Sequence, residues 1–345
     1  MLNVGIYGAS GYTGQELLRL LIGHPNTNVV VVTSRKLKGI GVSEVYPAFA
    51  GITDLRFVDS SPKNLVSSCD VVFLALPHGE AMNVASEFVE AGVKVIDLSA
   101  DFRLKDVSVY EEWYTKHNSP DLLLNAVYGL PELYKNDLKK ACLVANPGCY
   151  PTGIILGLAP LLRRGCIDTA SIIADSKSGA SGSGRDLQLG SLFCEVNEGF
   201  RAYKVASHRH IPEIEQELGR VAETAIKISF TPHLTPANRG ILSTIYANMK
   251  EEISESELVD MYKDFYRNER FVRICRQGSL PNISSVRGSN NCDIGLAVDK
   301  RTGRVIVVSA IDNLIKGAAG QAVQNMNLMC GFPEETGLNH ISLFP

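Results

Sequence analysis

Apolar and polar positions alternate along the first half of the chain in a repeating order. Val4-Gly5-Ile6-Tyr7 is a short apolar run, and Leu17, Leu18 and Leu21 then recur at helical spacing. Asn28–Thr33 (NVVVVT) and Asp70–Leu76 (DVVFLAL) are nearly continuous apolar runs, as strands buried on both faces are. The pattern predicts a helix over Glu80–Ala91, stopped by Gly92, and a further strand over Val93–Leu98. A last apolar run ends at Val144 and Ala145, and a helix begins after the turn Asn146-Pro147-Gly148-Cys149. Strand–helix alternation of this kind predicts a doubly wound parallel sheet of Rossmann type, with ligands at the carboxyl ends of its strands.

The second half changes rhythm. Strands are expected over 171–175, 226–230, 241–249, 294–298 and 305–310, with few helical stretches between them. Residues 297–305 read as a hairpin, and Ser254 with Glu257 as the capping box of a helix reaching about Arg267. The expectation is an α+β domain with a mainly antiparallel sheet. Asp312 is expected to cap a final helix over 313–329. The stretch 176–185 (SKSGASGSGR) reads either as a flexible surface loop or as a phosphate or substrate loop.

Composition narrows the classes. A chain of 345 residues is long enough for two domains. Its formal net charge of −3, with no basic block, disfavours nucleic acid. No apolar stretch reaches the length of a membrane span. The amino terminus reads as a first strand, not as an export signal. The eight cysteines show no CxxC pair and no zinc spacing, so free thiols in a reducing cytoplasm are expected, and no metal.

The chemistry concentrates at three places. Gly8, Ser10, Gly11, Tyr12, Thr13 and Gly14 lie between the first strand and the first helix, where glycines let backbone approach a pyrophosphate at a helix start. Thr33-Ser34-Arg35-Lys36 follows the second strand where NAD folds place an acid. A hydroxyl at Ser34 and a guanidinium at Arg35 suit a 2′-phosphate, which favours NADP over NAD. Cys149 sits at the mouth of an apolar helix, where orphan N–H groups and the macrodipole favour a thiolate. A buried structural cysteine is the plain alternative. Cys149 also follows a strand, which would open it onto the crevice of the glycine loop. His208-Arg209-His210 leads into an amphipathic helix with Pro212 in its first turn, and either histidine is placed to carry a proton for a cysteine nucleophile. A thiol beside a nicotinamide implies an acyl-enzyme that accepts hydride.

The pieces GASGYTG (8–14), TSR (33–35), LPHG (76–79), DLSADFR (97–103), YGLPEL (128–133), NPGCYPT (146–152), SGASGSGR (178–185), HRHIPEI (208–214) and DNLIKGAAGQAVQ (312–324) resemble the N-acetyl-γ-glutamyl-phosphate reductases. That family is related to the aspartate-semialdehyde dehydrogenases, and the resemblance runs nearly end to end. It implies NADPH-dependent reduction of N-acetyl-γ-glutamyl phosphate to the semialdehyde with release of phosphate, in arginine biosynthesis. It implies Cys149 as nucleophile, with His210 preferred over His208 as acid/base. The cofactor set it implies extends to Pro77, Ser178, Gly179 and Asn313, and the substrate set comprises Arg103, Asn146, Ser181 and Glu198. Asn290 and Asn291 are as consistent with a turn as with a ligand. It also implies a nucleotide domain over 1–148 and 312–345, a catalytic domain over 149–311, and a cytoplasmic homo-oligomer, dimer or tetramer. The rivals are a reductase for carrier-bound aminoadipyl phosphate in lysine biosynthesis, aspartate-semialdehyde dehydrogenase itself, and a non-enzymatic NADP-binding regulator.

Overall fold

The computed structural model describes residues 1–59, 61–62 and 65–344. The chain divides into two compact units, Met1–Pro147 with Ala318–Asn339, and Gly148–Gly317 with His340–Pro345.

The first unit is built on seven strands: β1 Leu2–Tyr7, β2 Thr27–Thr33, β3 Phe57–Val58, β4 Val71–Leu74, β5 Lys94–Asp97, β6 Val127–Tyr128 and β7 Leu143–Ala145. Their order is β3-β2-β1-β4-β5-β7-β6. Every pairing is parallel. All four residues of β4 are buried, which accounts for its unbroken apolar run. Strand order reverses beside β1, the switch point at which such sheets hold ligands. The helix Tyr12–Ile22 buries Leu17, Leu18, Leu20 and Leu21 and turns Arg19 outward, so its period of about 3.6 is real amphipathicity.

The expected helix over 80–91 is broken. A 3₁₀ turn covers Ala81–Asn83, and the α-helix Ala85–Glu90 starts only after Val84, at φ −122°. The Asp101 carboxylate takes the N–H groups of Gly79 (2.7 Å) and Met82 (3.1 Å), which holds the first turn to the 97–103 loop. The helix Gly320–Met329 is buried at every position of this unit, and Gln321 and Asn325 both donate to the Gly129 carbonyl at 2.8 Å.

The second unit carries β8 Ile173–Gly179, β9 Arg201–Ala202, β10 Ser229–Thr235, β11 Ile241–Asn248, β12 Val272–Ile274, β13 Cys292–Asp299 and β14 Arg304–Ile311. Their order is β12-β13-β14-β11-β8-β10-β9. The core pairings β13/β14, β14/β11 and β11/β8 are antiparallel, while β8/β10 and β12/β13 are parallel, so the sheet is mixed. The 297–305 hairpin forms, with Asp299 opposite Arg304. Two boundaries differ from the sequence reading. The strand expected at 171–175 runs as β8 through Ser176, Lys177, Ser178 and Gly179, because β10 and β11 pair it on both sides, and only Ala180–Ser183 remains a 3₁₀ turn. The strand expected at 226–230 is β10, displaced toward Thr235. The helix expected at 313–329 is also interrupted, by a π-turn at Ile315–Ala319. Asp312 does cap its start, accepting from Leu314 N (2.8 Å) and Ile315 N (3.3 Å).

The helix Cys149–Arg164 is apolar on nearly every face because it is buried over Tyr150–Leu162, and Gly165 closes it in the left-handed conformation at φ 73°. The helix Ile211–Ala222 packs beside it.

Candidate active site

In the first unit the glycine turn follows β1 directly. Gly8 has φ 82°, and a side chain there would collide with the Ala75 carbonyl, so only glycine fits. The turn is tied to β2 by Gly8 N donating to Thr33 Oγ1 (3.2 Å) and by Ala9 N donating to the Thr33 carbonyl (3.1 Å). Gly11 caps the helix Tyr12–Ile22 in an extended conformation, leaving the first-turn N–H groups for an anion. Ser10 Oγ and Ser34 Oγ stand 3.0 Å apart, so the glycine loop and the end of β2 form one polar rim. Arg35 lies beyond it, exposed, reaching Glu80 at 3.5 Å. These features fit a dinucleotide: a backbone anion cradle, a hydroxyl pair and a guanidinium.

The 97–103 loop of the same unit is mostly framework. Arg103 is buried, donating from Nε to the Asn146 carbonyl (2.8 Å) and from a terminal nitrogen to the Leu98 carbonyl (2.8 Å). Asn146 donates to the Ala318 carbonyl (3.1 Å) and accepts from Asn325 (3.1 Å). Both residues therefore brace the backbone around the turn that leads to Cys149. Asp97 is wholly buried beside Asp101, and burial followed by that like charge pushes its carboxyl above the usual range. Pro77 lies in the loop whose Gly79 is tied to Asp101.

In the second unit Cys149 is the first residue of the helix Cys149–Arg164, half-buried, with Gly148 as extended N-cap. Thr152 folds back onto the Gly148 carbonyl through its hydroxyl (2.9 Å). Glu213, buried, accepts the Gly148 N–H at 2.7 Å. Gly317 abuts Cys149: a methyl there would stand 2.8 Å from its Cβ. Tyr150 and Tyr203 share a hydroxyl hydrogen bond of 2.9 Å. Burial and the Tyr203 hydroxyl push the Tyr150 phenol far above its ordinary value, and burial raises Tyr203 to about 12. Both phenols are neutral donors at any working pH.

The two histidines differ. His208 is buried among Tyr150, Tyr203 and Phe230 at ring separations of 5.4–5.7 Å. Its Nδ1 accepts the backbone N–H of His210 (3.1 Å), which places the proton of the neutral ring on Nε2. Burial, then the charges of Lys204 and Arg209, drive its pKa down to about 4. His210 caps the helix Ile211–Ala222, half-buried, with its ring 5.9 Å from Tyr150 and 4.7 Å from His208. Ser178 and Gly179 end β8. Asn313 donates to Ser181 Oγ (2.9 Å) and accepts from Gly240 N (2.7 Å), so the serine-rich turn and the 312–317 segment form one surface. Glu198 stands on an exposed turn with φ 62°. Asn290 is buried in the turn that follows Gly288, whose N–H reaches Asp312 at 2.8 Å.

The residues that sequence reasoning missed are Glu213, Gly317, Tyr150 and Tyr203. Glu213 is an acid in the first turn of its helix, a place where acids are common; its signal was its position inside the HRHIPEI motif, next to Pro212. Among the described residues no group of three or more histidine, cysteine, aspartate or glutamate side chains is placed to hold a metal, and no helix is long and apolar enough to cross a membrane.

Residues 3–141 match the family described as semialdehyde dehydrogenase, NAD binding domain, and residues 149–313 match semialdehyde dehydrogenase, dimerisation domain. Aspartate semialdehyde dehydrogenase II from Vibrio cholerae, solved with ASA, superposes with a TM-score of 0.72 at 16% identity, over 96% of this chain and 98% of that one. Aspartate semialdehyde dehydrogenase with NADP from Candida albicans gives 0.72 at 17%, over 96% and 99%. The fold and its two matched domains define an oxidoreductase of semialdehyde-dehydrogenase type. Sequence relatives make the class narrower. The N-acetyl-gamma-glutamyl-phosphate reductase of Desulfotalea psychrophila is 57% identical over the whole of both chains, and that of Pelotomaculum thermopropionicum 56% over 99% of both. The chain belongs to the N-acetyl-gamma-glutamyl-phosphate reductase family.

Proposed function

We propose that this chain reduces N-acetyl-γ-glutamyl phosphate to N-acetylglutamate 5-semialdehyde, releasing phosphate, with NADPH as reductant and a thioester on Cys149 as intermediate. The observation that carries the reading is Cys149 at the first position of a buried sixteen-residue helix, on a turn held by Glu213 and pressed by Gly317. The substrate's acyl group follows from the relatives' names.

The helix start favours the thiolate, which adds to the acyl carbon as the C–O bond to phosphate breaks. Gly8, Gly11 and the first-turn N–H groups of the helix Tyr12–Ile22 would hold a dinucleotide, whose nicotinamide would supply a hydride to the thioester carbon. His210 gives the proton to the carbonyl oxygen, and the resulting thiohemiacetal returns that proton as the C–S bond breaks, releasing aldehyde and thiolate. His208 serves as a neutral packing partner, because a ring with a pKa near 4 and an Nδ1 already accepting from His210 N is poorly matched to proton transfer near neutrality. Tyr150 and Tyr203 stay protonated and fill the wall beside the thiol. Ser178, Gly179, Ser181, Asn313 and Glu198 remain the proposed contacts for phosphate groups and substrate, with Arg103 and Asn146 acting through the backbone they hold.

NADP is preferred because the end of β2 offers Ser34 and Arg35 and no acid of its own. The exposed Glu80 partner is no obstacle, since a surface pair at 3.5 Å contributes about 0–1 kcal/mol. Eight cysteines without a disulfide support a reducing cytoplasm as the site of action. The test is the reverse reaction. NADP reduction is expected with N-acetylglutamate semialdehyde plus phosphate, and far less with aspartate semialdehyde or an aminoadipate analogue. A preference for either of those substrates overturns the proposal.

A further inference from the structure

A cavity of about 930 Å³ opens in the first unit at the amino ends of β1, β4 and β5, whose first residues Leu2, Val71 and Lys94 line it. That volume lies within the range of small-molecule sites. Doubly wound sheets hold their nucleotides at the carboxyl ends of the strands, so this is not the dinucleotide crevice. The six residues of β1 put about 20 Å between the cavity and the glycine turn. The helix Gly320–Met329 ends in the cavity wall, and the helix Pro131–Leu138 brings Lys135 and, at its end, Lys139.

The charges around this cavity do not all answer one another. Glu334 is fully engaged: one carboxylate oxygen meets Lys135 at 3.1 Å, and the other accepts from the Gln324 amide at 2.9 Å. Among the described residues, Lys94 and Lys139 meet no carboxylate, and Glu335 meets no cation. Asp70 accepts the Asn3 N–H at 2.8 Å and likewise meets no cation there. Lys94 and Glu335 are half-buried, which strips part of their hydration without supplying a partner. The helix Gly320–Met329 has no basic residue in its last turn, so nothing on it offsets its negative end. Between the charges lie Val71, Met329 and Phe332, an apolar lining.

We propose that this cavity binds an α-amino acid with a large apolar side chain. The two ammonium groups and two carboxylates without ion partners sum to zero, and a zwitterion satisfies both signs at once. The ligand's carboxylate meets Lys94 and Lys139 through charge-assisted hydrogen bonds. Its ammonium meets Asp70 and Glu335 near the negative end of the helix Gly320–Met329. Its side chain covers Val71, Met329 and Phe332. A simple anion would leave both acids unanswered and be repelled by them, and a simple cation would do the same with the lysines. Cys330 lines the same cavity, and burial pushes its thiol up to about 11. It therefore alkylates slowly, and a ligand lying over it slows it further.

The experiment is calorimetric titration of the full chain with L-phenylalanine, with 3-phenylpropionate, which lacks the ammonium, and with phenethylamine, which lacks the carboxylate. L-phenylalanine is expected to bind once per chain with millimolar affinity or tighter, and loss of either charge should weaken binding by about tenfold or more. Saturating NADP should leave that affinity unchanged. Lys94→Gln and Glu335→Gln should each weaken L-phenylalanine by about tenfold while keeping the native circular dichroism. Cys330 should alkylate several times more slowly when the amino acid is saturating. If a variant fails to fold, the three ligands and the Cys330 rate in the native chain decide alone. No binding at millimolar L-phenylalanine, equal binding of 3-phenylpropionate or phenethylamine, displacement by NADP, full affinity in the folded variants, or an unchanged Cys330 rate overturns the proposal.

Discussion

Gly317→Ala tests whether Cys149, the proposed nucleophile, must sit where the structure places it. The added methyl would lie 2.8 Å from Cys149 Cβ and 3.2 Å from its Cα, with the Asp312 carbonyl at 3.4 Å behind. Carbon atoms pack at about 3.5–4.0 Å, so one of the two segments must yield by roughly 0.7–1.2 Å. Cys149 is the more fixed by its helix and by Glu213, yet any settlement shared between them moves the sulfur by several tenths of an ångström. A misplacement of about 1 Å at a reacting centre costs about a hundredfold. That loss of kcat/KM corresponds to about 2.7 kcal/mol of barrier. Overpacking should also lower stability by about 1–3 kcal/mol, leaving the chain folded. Turnover is followed at 340 nm and folding by thermal melts. Gly23→Ala is the control, since its methyl would meet nothing closer than 3.7 Å. A folded Gly317→Ala with kcat/KM within threefold of native refutes the reasoning.

Arg35→Ala should raise KM for NADPH by about ten- to a hundredfold, as expected for a charge-assisted phosphate contact of about 1.5–3 kcal/mol, and leave NADH within about threefold; equal changes for both cofactors contradict the assignment. Glu213→Ala leaves the Gly148 N–H buried without an acceptor and should cost about 1–3 kcal/mol in stability, much of it restored in Glu213→Gln, which keeps an acceptor oxygen. His208 refuses a proton when folded, its pKa near 4 against 6.5 in the open chain, so the unfolded state gains protons first as pH falls. Its contribution to stability is intact above pH 6.5 and erodes by about 3 kcal/mol toward pH 4. Denaturant titrations of His208→Asn should show a correspondingly shallower acid slope, and identical slopes would count against a buried neutral His208.

Legibility in the sequence followed the range of the forces involved. β1, β2, β4, β5 and the Cys149 helix were plain because burial on both faces writes continuous apolar runs. The short edge strands β3, β6, β9 and β12 have two or three residues each, too few for a period. β8 was cut short because Ser176-Lys177-Ser178-Gly179 looks like a loop, and only its pairing on both sides makes it a strand. The helix at 80–91 was broken by a carboxylate twenty residues away, which no local pattern reports. At the site, Cys149 and the histidines were visible from chemistry. Glu213 and Gly317 act through contacts 65 and 168 residues distant in the chain. Arg103, expected as a substrate contact, also donates to the Asn146 and Leu98 carbonyls, partners that no local pattern reports.

The most direct measurement is to trap the acyl-enzyme. N-acetyl-γ-glutamyl phosphate, generated in place by a kinase, is mixed with the protein in the absence of NADPH, quenched in acid and digested. The account predicts one burst of phosphate per subunit and an N-acetylglutamyl thioester on the peptide bearing Cys149, lost on adding NADPH and absent from Cys149→Ser. No adduct at Cys149, or near-normal turnover by Cys149→Ser, would contradict it.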